Sequence, residues 1–271
     1  MLTTEVIRQL APSVFTTEPI PSASQHYTLI PTIRVIDALK ERGLHPVSAR
    51  QSRTRSAERV PFVKHVVRFR REGQPVILGE IIPEIVLTNS HDTGSSYRLS
   101  AGLYRVWCSN GATTPVGEYG IYSVAHRGDV LGDVIEASYR IIDDVPLLTS
   151  RVQEFQKIQL PVDRQLEFAE RAASLRWDKA PVEPFELLEP RRQSDVGNDL
   201  WRVFNRVQEN IVRGGIRYRV FDEEAQRFRR ARTRPIRSVS QDLDFNVKLW
   251  RLAEEYAGNG VATENAESVL A

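Results

Sequence analysis

Cysteine, lysine and long apolar runs are scarce in this sequence, and each shortage excludes something. A single cysteine, Cys108, among 271 residues leaves no intramolecular disulfide framework and no cysteine-rich zinc site. No apolar stretch approaches the roughly 18 residues of a membrane span. The N-terminal MLTTEVIRQLAPSVF lacks the basic-then-apolar order of a secretory signal, so a cytoplasmic location is expected, with no membrane partner. The five histidines (26, 45, 65, 91 and 126) show no metal-ligand spacing and no i, i+4 pair. There is no P-loop, no GxGxxG behind a strand and no GxSxG elbow. No catalytic residue, metal or cofactor is therefore assigned, and the reading leans away from an enzyme.

What is present is arginine. Lysine occurs 5 times and arginine 32 times, and the net charge of +2 hides an uneven distribution. Residues 50 to 71 hold eight cations (Arg50, Arg53, Arg55, Arg59, Lys64, Arg68, Arg70 and Arg71) against Glu58 alone. Residues 213 to 237 hold nine arginines against Asp222, Glu223 and Glu224. Arginine suits sites where a planar fork must grip phosphate or carboxylate, and two such segments on an otherwise acidic chain point to a polyanion site. Two other readings stand beside it: solvated strand faces paired with Asp and Glu elsewhere, and a GC-rich genome that favours arginine codons.

The fold expected is α+β: an N-terminal helix plus an antiparallel strand meander, then a mostly helical half with a basic hairpin. Residues 1 to 25, rich in Pro, Ser and Thr, suggest an extended arm. An α+β core with the basic meander is expected over 26 to 128, a helical region with the hairpin over 129 to 257, and a flexible tail over 258 to 271. In the core, a helix is predicted from about Thr32 to Arg42, with Thr32 as N-cap after Pro31 and Gly43 as the stop. Strands follow from His45 to Leu87, with Gly73 closing one of them. LSAGLYRVWCSNG is left open between strand and short helix, with Asn110-Gly111 as a turn. Helices are expected from near Val130, after Pro161, over DLWRVFNRVQENIVRGG and over DLDFNVKLWRLAEEYAG. RYRVFDEEAQRFRRAR reads as a hairpin with Asp222 to Ala225 at its bend.

Several polar clusters invite chemistry. The run from Asn89 to Asp92, followed by Gly94, Ser95, Ser96 and Tyr97, is either a phosphate-holding loop or a self-bonded Asx/Ser turn. Asp143-Asp144 can bind a divalent cation or cap a helix, and capping is the commoner use. Cys108 sits among apolar neighbours as a buried small residue. In PFVKHVVRFRR and RYRVFDEEAQRFRRAR, cations interleave with Phe62 and Phe69 and with Tyr218, Phe221 and Phe228. Single-strand grooves combine cations with rings in this way, although an amphipathic strand with an aromatic core face has the same texture.

Taken together, VSARQSRTR, KHVVRFRR, PEIVLTNSHDTGSSYRLSAGLYRVWCSNG, GDVIEASYRIIDDV and VQENIVRGG resemble the phage/plasmid-like family known as domain of unknown function 932. The resemblance spans roughly Tyr27 to Tyr256 and implies a mobile-element setting rather than a reaction. A looser architectural likeness, helix then basic meander then helix, is to Rad52-type single-strand annealing proteins, which form rings that hold single-stranded DNA in a positively charged outer groove.

The function expected is nucleic-acid binding in a mobile element, with single-stranded DNA as the partner and strand annealing as a candidate activity. Arg50, Arg53, Arg55, Arg59, Lys64, Arg68 and Arg70 would hold phosphates. Asn89, His91, Ser95 and Arg98 would tighten the grip, and Arg213, Arg217, Arg219, Arg229 and Arg230 would add a second track. A homo-oligomer, ring or filament, is expected because a lone meander leaves strand edges to cover. The alternatives are a metal-dependent enzyme on nucleic acid using His91, Asp92 and Asp143, or a protein-interaction factor in anti-defence or plasmid regulation.

Overall fold

The computed structural model describes residues 1–24, 27, 29–73, 76, 81–105, 111–114, 121–126, 128–223 and 226–258. Cys108, Asn110, the bend residues Glu224 and Ala225, and residues 259 to 271 of the expected tail lie outside them. The chain is α+β and divides into two units. The first comprises Met1–Thr149 and Arg237–Leu243, and the second comprises Ser150–Ile236 and the chain from Asp244. This partition differs from the expected boundary near residue 129, because the long helix that starts there contributes to both units.

The first residues fold rather than extend. Helix α1 (Thr4–Leu10) is capped by the Thr3 side chain, which accepts from the Val6 N–H, and a 3-10 turn at Pro12–Phe15 follows. Ile7, Ala11 and Val14 are fully buried. Their i, i+4, i+7 spacing is a helical stripe, and Pro12 opens the second turn where its missing N–H costs nothing. Helix α2 (Thr32–Lys40) buries Val35, Ile36 and Leu39 and leads to Gly43, whose φ of +75° lets the chain reverse into the sheet. The N-cap position belongs to Pro31, not Thr32. The Thr32 hydroxyl points inward instead and bonds a histidine of the sheet.

The sheet is antiparallel, with β1 (Leu44–Gln51), β2 (His65–Arg71), β3 (Ile81–Asn89) and β4 (Tyr97–Arg105) in sequence order. Two short strands share the outer edge of β4: β5 (Gly111–Thr114) along Ala101–Tyr104, and β6 (Ile121–Val124) along Tyr97–Ser100. The segment left open from sequence is thus a strand at its LSAGLYR end. β3 is buried along its whole length, and burial on both faces replaces apolar alternation with a continuous run. Helix α3 (Val130–Lys157) follows, burying Val130, Val134, Ala137, Ile141 and Leu148 in the first unit.

The second unit is a helical assembly closed by a ribbon. It contains the end of α3, α4 (Val162–Ser174), α5 (Pro184–Leu187), α6 (Leu200–Arg213), the hairpin β7 (Arg217–Asp222) and β8 (Arg227–Arg232), and α7 (Val239–Tyr256) from Asp244 onward. Its core is a ring cluster in which Trp250 lies 5.0 Å from Phe155, 5.9 Å from Phe204 and 6.5 Å from Trp201 between centroids. Asp199 caps α6 by accepting from the Arg202 N–H. The other end of α6 stops at Gly214, with φ +60°, where an added Cβ would lie 2.7 Å from the Thr233 carbonyl oxygen. Among the described residues, no helix is long and apolar enough to cross a membrane.

Candidate nucleic-acid interface

Strand period and antiparallel pairing place the meander cations on one face of the sheet. Arg50 stands opposite Val66, Ser48 opposite Arg68, and Arg98 opposite Thr88, so Arg50, Arg68, Arg70 and Arg98 share a side. The opposite side carries His65, Val67, Phe69, Leu87 and Leu99 into the core. The alternation seen in the sequence is therefore real, but most of these cations already have partners. Glu84 on β3, with a side chain only 1% exposed, receives Arg70 at 2.8 Å and Arg68 at 3.4 Å. Arg50 pairs with Asp242, and Lys64 Nζ donates to Ser240 Oγ at 3.0 Å. Val239 and Leu243 pack on Val66 and Val86 between these polar contacts. The segment Arg237–Leu243 thus lies over the basic face. Partial burial and the neighbouring Arg98 lower the Lys64 pKa, with Asp92 acting against them. Arg53, Arg55 and Arg59 are exposed in the connection between β1 and β2.

The polar stretch after β3 adopts the self-bonded form of the two expected. Ser90 Oγ donates to Asp92 Oδ1 at 2.6 Å and contacts Ser95 Oγ at 2.7 Å, and the Gly94 N–H donates to Asp92 Oδ1 at 3.0 Å. Asn89 and His91 face the interior and are fully buried, which removes them from any phosphate contact at the surface. Asp143 and Asp144 lie within α3 and cap no helix end. The Tyr122 hydroxyl donates to Asp144, whose pKa is raised by desolvation. Among the described residues, no group of three or more His, Cys, Asp or Glu is placed to hold a metal ion.

Three histidines without sequence spacing converge on one hydroxyl and its neighbour. Thr32 Oγ1 lies 2.9 Å from His65 Nε2, 3.4 Å from His91 Nε2 and 3.3 Å from the Tyr97 hydroxyl, and it accepts from Asn89 Nδ2 at 3.2 Å. Ser13 Oγ meets His65 Nδ1 at 2.9 Å, and His126 Nε2 meets Asn89 Oδ1 at 2.9 Å. The Tyr97 hydroxyl donates to the Ile30 carbonyl at 2.6 Å. Burial, reinforced by the His91 ring, pushes the His65 pKa down to about 3. Burial, reinforced by His126 and opposed by Asp92 and the Ser13 main chain, pushes His91 down to about 4. Both rings are neutral at pH 7. Tyr27, stacked on His126 at 4.7 Å, is pushed up to about 12 by burial and then by Asp92. The cluster joins segments from residue 13 to residue 126 and acts as a polar knot. The sequence held no signal for it, since its members come from separate strands and turns.

The hairpin contrasts with the meander. Its register pairs Arg217 with Arg232, Arg219 with Arg230 and Phe221 with Phe228. Directly opposed residues share a face, so one face reads Arg217, Arg219, Phe221, Phe228, Arg230 and Arg232, with no acid among them. All six residues are exposed, Phe221 at 45% and Phe228 at 66%. Among the described residues no carboxylate pairs with any of these four arginines. Arg229 lies on the other face, and Arg213, at the foot, pairs with Glu209 at 2.8 Å. Arg232 joins this face by the strand period through Phe228 and Arg230.

The foot is firmly anchored. The Gly215 N–H donates to the Thr233 carbonyl at 2.8 Å, and the Ile236 N–H donates to the Val212 carbonyl at 2.9 Å. Arg191 bonds the Gly214 carbonyl and, through Nε, Asn210 Oδ1 at 2.6 Å. Asn210 Nδ2 in turn donates to the carbonyls of Leu187 and Glu189, both at 2.9 Å.

A family profile described as "Domain of unknown function (DUF932)" matches residues 19–250. The chain belongs to this family. Two relatives from Escherichia coli (strain K12) are similar to this DUF932 protein over 256 residues, which is 93% of this chain and 90% of each relative. They are "UPF0380 protein YafZ", 39% identical, and "UPF0380 protein YfjQ", 38% identical. No solved structure matches the chain.

Proposed function

We propose that this DUF932 protein binds nucleic acid through the β7–β8 hairpin. One observation carries the reading: four exposed arginines share a ribbon face that, among the described residues, contains no acid. Opposed like charges on a ribbon cost roughly 0.2–1 kcal/mol per pair. A polyanion offsets that cost, because each phosphate neutralised releases condensed counterions. Single-stranded DNA in a mobile-element setting, with annealing as the activity, is the finer form of the proposal. The family-level expectation and the arrangement of cations beside rings support it. The exposed Arg53, Arg55 and Arg59 of the first unit are available for further phosphate contacts.

The test is fluorescence anisotropy with labelled single-stranded and duplex oligonucleotides over a salt series, with particle size recorded alongside. Binding with a steep log–log salt slope supports the proposal. Absence of binding to either form at low salt rejects it, and the hairpin must then be read as a surface for an acidic protein. If single strands bind, an annealing assay on complementary oligonucleotides decides the finer form.

A further inference from the structure

From the hairpin face we infer that Phe221 and Phe228 form a base-stacking platform, so that the ribbon selects unpaired bases over duplex. The inference rests on the nucleic-acid reading above and adds the feature by which the site recognises its ligand. The two rings are opposed across the strands with centroids 5.2 Å apart and planes at 65°, an edge-to-face contact. That contact leaves no slot between them for a planar group, so a base would stack on the outward ring surface. Phe228, the more exposed of the pair, offers the larger area.

The surroundings fit this use. Arg219 and Arg230 precede and follow the phenylalanines on the same face, about 7 Å away along each strand at two residues' rise. Arg217 and Arg232 lie one further step toward the foot. A strand laid along the ribbon thus meets phosphate partners beside the rings. Every base presents a π-face, so stacking grips single strands without regard to sequence. In a duplex those faces are covered by neighbouring base pairs, and a platform reaches them only after unstacking. Tyr218, half-buried on the other face, takes no part.

A plainer role for the pair is to hold the hairpin together, and the test separates the two. F221L/F228L keeps a cross-strand apolar pair and removes the aromatic faces. The platform predicts that this variant loses about ten-fold or more in affinity for a single strand. Its duplex affinity and its salt slope should stay within two-fold of the parent. F228W in the F221L background should restore single-strand binding. As a second readout, the unaltered protein should bind an abasic single strand about as weakly as F221L/F228L binds a normal one. If the double substitution lowers single-strand and duplex affinity equally, or lowers neither, the platform is overturned and the polyanion reading stands. Equal binding of normal and abasic strands by the unaltered protein overturns it in the same way. Failure to bind any nucleic acid overturns both.

Discussion

The basic face of the meander and the basic face of the hairpin look alike in sequence and differ in the folded chain. In both, arginines alternate with apolar residues at strand period. On the meander, Glu84 takes up Arg68 and Arg70, and Asp242, 192 positions from Arg50, takes up Arg50. On the hairpin, among the described residues, no carboxylate shares the face with the four arginines. Whether a cation serves the fold or stands ready for a ligand thus depends on acids that local pattern cannot reveal. The paired-with-acids reading of the sequence describes the meander, and the hairpin is the segment on which the polyanion proposal rests.

The sharpest way to break this contrast is to remove the hairpin charges. R217Q/R219Q/R230Q/R232Q should lower nucleic-acid affinity by about a hundred- to a thousand-fold at low salt and flatten the log–log slope by about 3. Its melting temperature should hold or rise, since two opposed like-charge pairs disappear. A large loss of stability would instead mean that the arginines hold the ribbon in place. The complementary substitution is Glu84→Gln on the meander, which leaves Arg68 and Arg70 without their acid. Both arginines are partly exposed, so the cost is discounted from a fully buried pair to about 2–3 kcal/mol. Urea titration measures it, and an unchanged midpoint would show that these ion pairs contribute nothing.

Acid offers a third separation. The folded-state pKa values of His65 and His91, about 3 and 4, lie below the ordinary 6.5. Their contribution is therefore complete above pH 6.5 and is lost as pH falls toward those values. A drop to pH 5.5 should cost about 1 kcal/mol per ring, about 2 kcal/mol together. The hairpin contains no histidine, so ring fluorescence of Phe–Trp contacts in the second unit should respond less than hydrogen exchange in β2 and β3. Uniform loss across both units would argue against the histidine knot as the cause. The smallest effect expected is that of Asp242→Asn, about 0.5–1 kcal/mol, because Arg50 is 43% exposed in its side chain. A rise in nucleic-acid affinity with that variant would show that the meander face is a second, covered track.

Much of the fold was legible where periodicity is local. Thr32 to Gly43, the α6 stretch ending at Gly214-Gly215 and the hairpin all announce themselves by apolar spacing and glycine stops. The first residues misled because Pro, Ser and Thr mask the helical spacing of Ile7, Ala11 and Val14. Thr32 looked like a helix cap because its position fits one, whereas its hydroxyl bonds residues up to 65 positions away. The site was half legible. Arg217, Arg219 and Arg230 were named, but their separation from Arg213 and Arg229 needed the register and the Glu209 pair. No local rule assembles His65, His91 and His126, since one lies in β2 and the others in the bends after β3 and β6, in a knot that exists only in three dimensions.

The segment Arg237–Leu243 has a consequence for how the chain is made. It closes the second face of a sheet whose strands finish more than a hundred residues earlier. During synthesis that sheet face, with Val66, Val86 and its arginines, must wait bare until nearly the whole chain has emerged. Domains generally fold from the N-terminus as they are made, but here the first unit to leave the ribosome waits for its last segment until residue 243. A nascent chain stalled before residue 237 therefore presents an open cationic sheet to the polyanionic ribosome around it.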